Sequence, residues 1–381
     1  MNLKLVRILD YYAGIPVIQF LRIFRLFRKY NKPKPKKILI MKFFGIGNLV
    51  MSSPILYSIK KKFPEAKIHY LTLNSNRGIL ECYKEYVSKP VYLDIGNINF
   101  PIATLRLLFG LRREKYDILL DLDQFSRYSA IVSFLLKPKF SIGYKTKGAM
   151  RHYLYDSTVK YLGDKHVAEE FLNPLLQFGI KPEARIRLLP LKTTAEAKNK
   201  LEKWLLENKL KNKKLIGMHT GVGENAPQKK WPFFRQLIEK ILKNTDCCIV
   251  LTAGPAEYND CDKLISKLAV SSIFKERVKV TKGIKLDELP FLMEQFKIFI
   301  SNDTGPLHMA AAQGIYVIGL YGPATPKVYG PHTQKKQIFY KPLKCSPCIT
   351  NFNNKETKCD FNRCMRLIQA DDVFDAVMRL L

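Results

Sequence analysis

FISNDTGPLHMAAAQGIYVIGLYG, residues 299–322, reads as a buried strand, a tight turn and a helix of small side chains leading to another apolar run. The strand over Ile298–Ile300 ends in Ser-Asn-Asp, and the chain then turns on Thr304-Gly305-Pro306. Proline suits the first turn of a helix because the N–H it lacks would have had no acceptor there. Asp303 or Thr304 is expected to cap the helix, and Gly305 lets a ligand approach the backbone. The free N–H groups of such a turn, backed by the positive end of the helix dipole, form an anion site. A diphosphate is the ligand that site suggests. Taken alone, the segment is equally an ordinary strand–turn–helix joint.

Working outward, strands and helices alternate. In the same half, strands are expected at Leu215–His219, Cys248–Thr252, Val278–Val280 and Val317–Leu320, separated by helices at Phe233–Lys243, Ala256–Leu268 and Leu286–Gln295. The other half gives strands at Ile38–Phe43, Lys67–Leu73, Val91–Asp94 and Asp117–Leu122. Its helices are expected at Leu49–Lys62, Ile79–Tyr86, Ile102–Arg113, Ser129–Leu136 and Val167–Phe178. Such alternation implies parallel sheets with helices on both faces. The expected fold class is α/β, two Rossmann-like domains facing a central cleft, with ligands at the carboxyl ends of the strands. The domains are drawn at 36–180 and 214–330, joined by a connector at 181–213 with a charged helix over Thr194–Leu210. Residues 1–35 form a basic segment and 331–381 a cysteine-containing tail, whose last helix, Asp371–Leu381, could pack against either half.

At 381 residues the chain is long enough for two such domains. With 47% hydrophobic and 25% charged residues it is globular. Lys and Arg number 64 against 33 Asp and Glu, a net charge of +31, so the surface attracts polyanions. Residues 1–37 hold ten basic residues (Lys4, Arg7, Arg22, Arg25, Arg28, Lys29, Lys32, Lys34, Lys36 and Lys37) and one acid, Asp10. Gln19, Arg22, Arg25 and Lys29 share one helical face, opposite Ile18, Leu21, Phe24 and Phe27. The uncharged run Tyr11–Phe20, interrupted by Pro16, is shorter than the ~20 residues a bilayer crossing needs, and no small-residue cleavage site follows it. A helix lying in an anionic membrane surface fits, each basic residue adding ~1 kcal/mol of attraction. A helix packed on the domain with a solvated basic face is the alternative.

Eight cysteines divide into a scattered set, Cys82, Cys247, Cys248 and Cys261, and a cluster, Cys345-x2-Cys348-x10-Cys359-x4-Cys364. The first half of the cluster has metal-ligand spacing, and the second lacks the paired knuckle of a zinc ribbon. A structural zinc, disulfides and reduced thiols are all compatible with it, and a cytosolic setting favours thiols or metal.

Three loops follow strands and should carry the chemistry. Phe44-Gly45-Ile46-Gly47-Asn48 is like a dinucleotide fingerprint but has Val50 in place of the third glycine, and the next strand ends at Leu73-Asn74 without a ribose-binding acid. NAD is therefore not the expected ligand, and the glycines more plausibly admit a substrate to the backbone. His219-Thr220-Gly221-Val222-Gly223, continuing to Gln228-Lys229-Lys230-Trp231-Pro232, supplies amides, a hydroxyl and a cation, which is a phosphate-binding inventory. No Walker A lysine–serine pair is present. Ser301–Pro306 is the third loop.

Five segments, in this order, resemble glycosyltransferase family 9, the heptosyltransferases of lipopolysaccharide core synthesis: KILIMKFFGIGNLVMSSPIL, DILLDLDQFSR, HTGVGENAPQKKWP, TAGPAE and SNDTGPLHMAAA. The likeness spans roughly residues 36 to 330. It implies a GT-B fold, an acceptor held by the first half through Gly45, Gly47 and Asn48, and a nucleotide-sugar held by the second. Thr220, Gly221 and Lys229 would meet the donor diphosphate, Glu257 the adenosine, and Asp303, Thr304, Gly305 and His308 the pyrophosphate and sugar. The implied reaction displaces ADP from the anomeric carbon of ADP-heptose with inversion and no obligatory metal, Lys229 and Asp303 acting at the reacting centre. Asn48 stands where the family carries the aspartate that would take the acceptor's proton. A neutral amide cannot do so, so either Asp121 or Asp123 substitutes or the chain binds without turnover. Both could equally cap the end of their strand. The implied setting is the cytoplasmic face of the inner membrane, with a lipid-linked saccharide acceptor and an anionic membrane surface as partners. A nucleic-acid partner would rest on charge alone, since no recognition helix, RNP aromatic pair or zinc finger is present.

Overall fold

A computed structural model describes residues 8, 10–27, 33–95, 100–181, 186–224, 226–353 and 357–381. The chain divides into two units, Met1–Ile186 and Arg187–Leu381. In the first, β1 (Lys37–Met41), β2 (Lys67–Leu73), β3 (Lys89–Leu93), β4 (Ile118–Asp121), β5 (Phe140–Lys145) and β6 (Ser157–Lys160) form one sheet in the order β3-β2-β1-β4-β5-β6. In the second, β7 (Leu215–His219), β8 (Cys248–Leu251), β9 (Val278–Val280), β10 (Phe296–Asn302), β11 (Tyr316–Tyr321) and β12 (Lys336–Tyr340) lie in the order β12-β11-β10-β7-β8-β9. Every pairing is parallel. Counted from its own first strand, each sheet has the doubly wound order of dinucleotide-binding folds, and winding reverses between β1 and β4 and between β7 and β10. At such a reversal the connections leave in opposite directions and open a crevice at the strands' carboxyl ends.

The central strands are legible because both their faces are covered. Ile38 to Met41 in β1 and all of β7 are buried, so they read as unbroken apolar runs. The strands missed from sequence, β5, β6 and β12, have the opposite character. β6 and β12 are edges, half-buried and polar. β5 is interrupted by Ser141 and Gly143, and a Cβ on Gly143 would lie 2.3 Å from the Tyr155 ring. The helix expected over Leu49–Lys62 is two, Ile46–Ser52 and Pro54–Lys62, because Pro54 has no N–H to continue the first. The helix Val167–Leu172 likewise gives way to a 3₁₀ turn, Asn173–Phe178, at Pro174.

The segment 331–381 belongs to the second unit rather than standing apart. β12 extends its sheet, and the final helix, Ala370–Leu380, buries Val373, Ala376 and Val377 in one core with Leu237, Ile238 and Ile241 of the helix Phe234–Asn244. Each fully buried valine contributes ~1.5 kcal/mol or more.

The helix Gly14–Leu26 packs through Ile18 on Ala130, Phe134, Leu154 and Tyr155. Asp10 accepts the amides of Arg127 (3.1 Å) and Tyr128 (2.8 Å), anchoring the segment at the N-terminus of the helix Arg127–Leu136. Its polar face turns toward the unit: Arg25 pairs with Asp156 at 2.9 Å, Arg22 lies 4.1 Å over the Tyr153 ring, and Gln19 meets Met150. Phe20, Ile23, Phe24 and Phe27 are left exposed. Lys4, Arg7, Arg28, Lys29 and Lys32 lie outside the described residues.

Candidate functional site

In the second unit β10 lies beside β7, and β7 beside β8. The loops leaving these three strands carry most of the residues singled out above. After β7, Thr220-Gly221 lies under Glu257, which comes from the loop after β8. A Cβ on Gly221 would sit 1.6 Å from Glu257 Oε1, so any side chain there would displace the carboxylate. Glu257 is itself fixed: Oε2 accepts the Gly254 N–H at 2.8 Å, and Oε1 is 3.5 Å from His219 Nε2. His219 Nδ1 is 2.8 Å from the Thr252 carbonyl oxygen.

After β10, Asp303 meets Lys229, which the 3₁₀ turn Pro227–Lys229 projects to within 2.5 Å of Oδ2. Both side chains are largely buried, at 14% and 8% exposed. Burial by itself would push the Asp303 carboxyl up. The Lys229 ammonium and the nearby His308 outweigh it and hold the carboxyl well below its ordinary range. Asp303 is therefore an anion at neutral pH that orients a cation, with no proton to give and little tendency to take one.

The helix Gly305–Ala312 begins as expected, with Pro306 in its first turn, but neither Asp303 nor Thr304 caps it. Thr304 occupies the cap position while its hydroxyl is 2.9 Å from Ser301 Oγ, and Asp303 is drawn off by Lys229. The amides of Gly305 and Leu307 thus keep no acceptor within the helix, by ordinary helix geometry. His308, on the same turn and 3% exposed, has Nε2 3.9 Å from Asp303 Oδ1. Its buried Nδ1 has no hydrogen-bond partner among the described residues. Such an orphan costs ~1–3 kcal/mol unless a ligand satisfies it.

Asn302 was not anticipated. Fully buried at the end of β10, it accepts the Trp231 N–H at 3.0 Å and donates to the carbonyls of Thr220 (3.4 Å) and Gly221 (3.3 Å), tying both neighbouring loops to its strand. The clue was an amide inside an apolar strand, where it must find partners. The tail supports the same loop: Asn362 donates to the carbonyls of Gln228 and Lys230, each at 2.9 Å, and Trp231 Nε1 donates to Ile368 O at 2.9 Å. No local signal announces Asn362.

In the first unit, Gly45 has φ 92°, a left-handed conformation that opens the turn before the helix Ile46–Ser52. Gly47 is buried in the first turn of that helix. Asn48 turns its side-chain amide back to the Phe44 carbonyl oxygen at 3.2 Å. Asp121 and Asp123 both have cationic partners. Asp121 Oδ2 accepts from Arg151 (2.6 Å) and Tyr155 (2.5 Å) in a fully buried pair, while Asp123 is bridged by Lys42 and accepts the Phe43 N–H at 2.9 Å. This network fastens β1, β4 and the 3₁₀ turn Arg151–Leu154 together.

The zinc expectation finds no support. All eight cysteines are free thiols, and among the described residues no group of three or more His, Cys, Asp or Glu could hold a metal ion. Cys364 is buried, where a Cβ on Gly322 would lie 2.8 Å from its sulfur, and burial, with Cys348, Cys359 and Cys345 near enough to add to it, pushes its thiol pKa up.

Two doubly wound units, the second with a lysine–aspartate pair and an open helix N-terminus at its switch point, make the architecture of the GT-B fold, that of glycosyltransferases. The chain belongs to glycosyltransferase family 9 (heptosyltransferase), whose family model matches residues 104–358. Lipopolysaccharide heptosyltransferase 1 of Campylobacter coli is 25% identical over 353 residues, 90% of this chain and 98% of that protein. Among solved structures, E. coli ADP-heptose lipopolysaccharide heptosyltransferase II matches with a TM-score of 0.73 at 20% identity, covering 90% of this chain and 98% of that one. A family 9 glycosyltransferase from Veillonella parvula matches at 0.75 and 19% identity, covering 92% and 98%.

Proposed function

We propose that the chain transfers a heptose from ADP-heptose to a lipid-linked saccharide of the lipopolysaccharide core, with inversion at the anomeric carbon. The observation that carries the reading is the Lys229–Asp303 pair at the open N-terminus of the helix Gly305–Ala312. Charge that builds on the departing diphosphate needs fixed positive groups, and preorganised donors at such a site are worth ~10²–10³ in rate. Lys229 and the amides of Thr304, Gly305 and Leu307 supply them, Asp303 holds Lys229 in place, and His308 Nδ1 offers a further contact to the donor. Thr220 and Gly221 admit the phosphates close to the backbone, and Glu257 faces the nucleoside.

The acceptor belongs with Gly45, Gly47 and Asn48. A membrane-surface site on the cytoplasmic face of the inner membrane suits such an acceptor. The exposed Phe20, Ile23 and Phe24 support it, as do Ile102, Leu105 and Phe109 on the helix Phe100–Arg112, which flanks the same neighbouring helix, Arg127–Leu136. No helix among the described residues is long and apolar enough to cross a membrane.

The test is turnover of ADP-heptose with heptose-free lipopolysaccharide as acceptor, followed as ADP release and sugar transfer. ADP binding lost in Lys229→Met together with transfer by the wild type supports the reading; failure to bind ADP refutes it. Asn48 favours a second reading, a nucleotide-sugar-binding protein impaired in catalysis. It predicts ADP binding with no transfer, and transfer gained in Asn48→Asp.

A further inference from the structure

The substitution at Asn48 leaves the acceptor hydroxyl without its expected base, and neither Asp121 nor Asp123 is free to serve. Asp121 is wholly buried against Arg151, and Asp123 is bridged to Lys42 at 3% exposure. A third carboxylate stands at the carboxyl end of a strand in the same sheet. Asp94 follows β3, where Leu93 pairs with Leu73 of β2, and β2 in turn pairs with β1. Residues leaving β1, β2 and β3 line an open cavity of about 390 Å³, the size of a small-ligand site. Its wall includes Phe44 and Gly45 of the glycine turn, Asn74, Ser75 and Asn76 after β2, and Asp94.

That lining has one carboxylate and no cation. An aromatic ring offers a face for the C–H side of a sugar, and the Asn74 amide N–H groups and the Ser75 hydroxyl offer partners for its edge, while the buried Asn76 amide is taken by Phe43 O and Thr72 Oγ1. An uncharged, hydroxyl-rich ring fits this chemistry; a phosphate or carboxylate does not. Asp94 is exposed, and no described residue hydrogen-bonds or ion-pairs with it. Among the described residues the carboxylate is thus unclaimed, in the cavity that the Gly45 turn helps to line.

We propose that this cavity holds a neutral sugar ring of the acceptor and that Asp94 is the catalytic base, in place of the residue lost at position 48. The inference rests on the transferase reading above. Asp94 takes the proton of the acceptor hydroxyl. The hydroxyl oxygen's electron pair forms the new bond to the anomeric carbon, while the bond from that carbon to the diphosphate oxygen breaks and its pair leaves with ADP. The proton then passes from Asp94 to water.

The experiment compares wild type, Asp94→Asn, Asn48→Asp and the double variant, with ADP-heptose and heptose-free lipopolysaccharide, alongside ADP binding. Expected is a ~100-fold or greater fall in kcat for D94N, with the KM for ADP-heptose and the affinity for ADP unchanged. N48D in the D94N background should restore at least about tenfold of that loss, a recovery that mere repair of structure would not give. D94N matching an active wild type overturns the assignment and leaves the transferase reading intact. An inactive wild type that N48D activates overturns it too, because Asp94 would then be no sufficient base. If neither transfers sugar while both bind ADP, the transferase reading fails and the assignment falls with it.

Discussion

Replacing Lys229 with methionine keeps the length of the side chain and removes the charge, leaving Asp303 buried beside His308. Removing one partner of a buried ion pair costs ~3–5 kcal/mol. The side chains here are 14% and 8% exposed, so the lower end, about 3 kcal/mol, applies. For a unit of this size that corresponds to a Tm lower by roughly 6–12 °C. The change with pH has a definite sign. In the wild type the native Asp303 binds its proton less tightly than the unfolded chain, so its contribution is complete above the ordinary value of 3.8 and fades as pH falls toward the native value. In K229M burial is opposed by His308 alone, so the native carboxyl holds its proton more tightly than in the wild type and the gap to wild type narrows as pH falls from 7. The double variant K229M with Asp303→Asn should recover most of the Tm but none of the transfer rate, which falls ~10²–10³-fold in either. Thermal unfolding at pH 7 and 4.5, with turnover of ADP-heptose at pH 7, reads all of this. A K229M protein with wild-type Tm and a kcat within threefold would refute the reasoning.

Gly221→Ala drives a methyl group into Glu257, so the carboxylate must leave the Gly254 amide, a charge-assisted bond worth ~1.5–3 kcal/mol; ADP titration should show at least ~10-fold weaker binding. Adding Glu257→Ala removes the clash but also the acceptor of the Gly254 N–H, so it should restore neither that bond nor the affinity. Arg151→Met strands Asp121 at zero exposure and should cost ~3–5 kcal/mol by urea unfolding, a loss that Asp121→Asn in the same protein reduces. Phe20→Ser with Phe24→Ser removes two exposed rings, each worth ~1.5 kcal/mol or more on insertion, and should weaken partition onto phosphatidylglycerol vesicles ~100-fold without changing Tm. Equal sedimentation of variant and wild type would dismiss the membrane-surface helix.

Much of the scaffold was legible because burial writes itself into local composition. A strand covered on both faces is apolar nearly throughout, so β1, β7, β8 and β10 were found, with ends displaced by at most two residues. Edge strands carry no such constraint, and β6 and β12 were passed over. Pro54 and Pro174 divided helices that apolar periodicity had joined. The phosphate loops were legible for a different reason, since glycine, proline and a lysine must lie close in sequence to build one turn.

Sequence by itself determined the alternation of strands and helices, the order of the five motifs and the residue types around the anion site, all of which are short-range properties of the chain. Only the tertiary structure decided which partner each group takes. Asp303 abandons the helix cap because a lysine 74 residues away lies closer to its carboxylate. Asp121 and Asp123 are claimed by Arg151 and Lys42, and Asp94 is unclaimed among the described residues. Cys364 packs in the core despite a metal-like spacing. Hydrogen bonds and ion pairs are settled by distance in space, and a buried charge takes whatever partner the fold brings nearest.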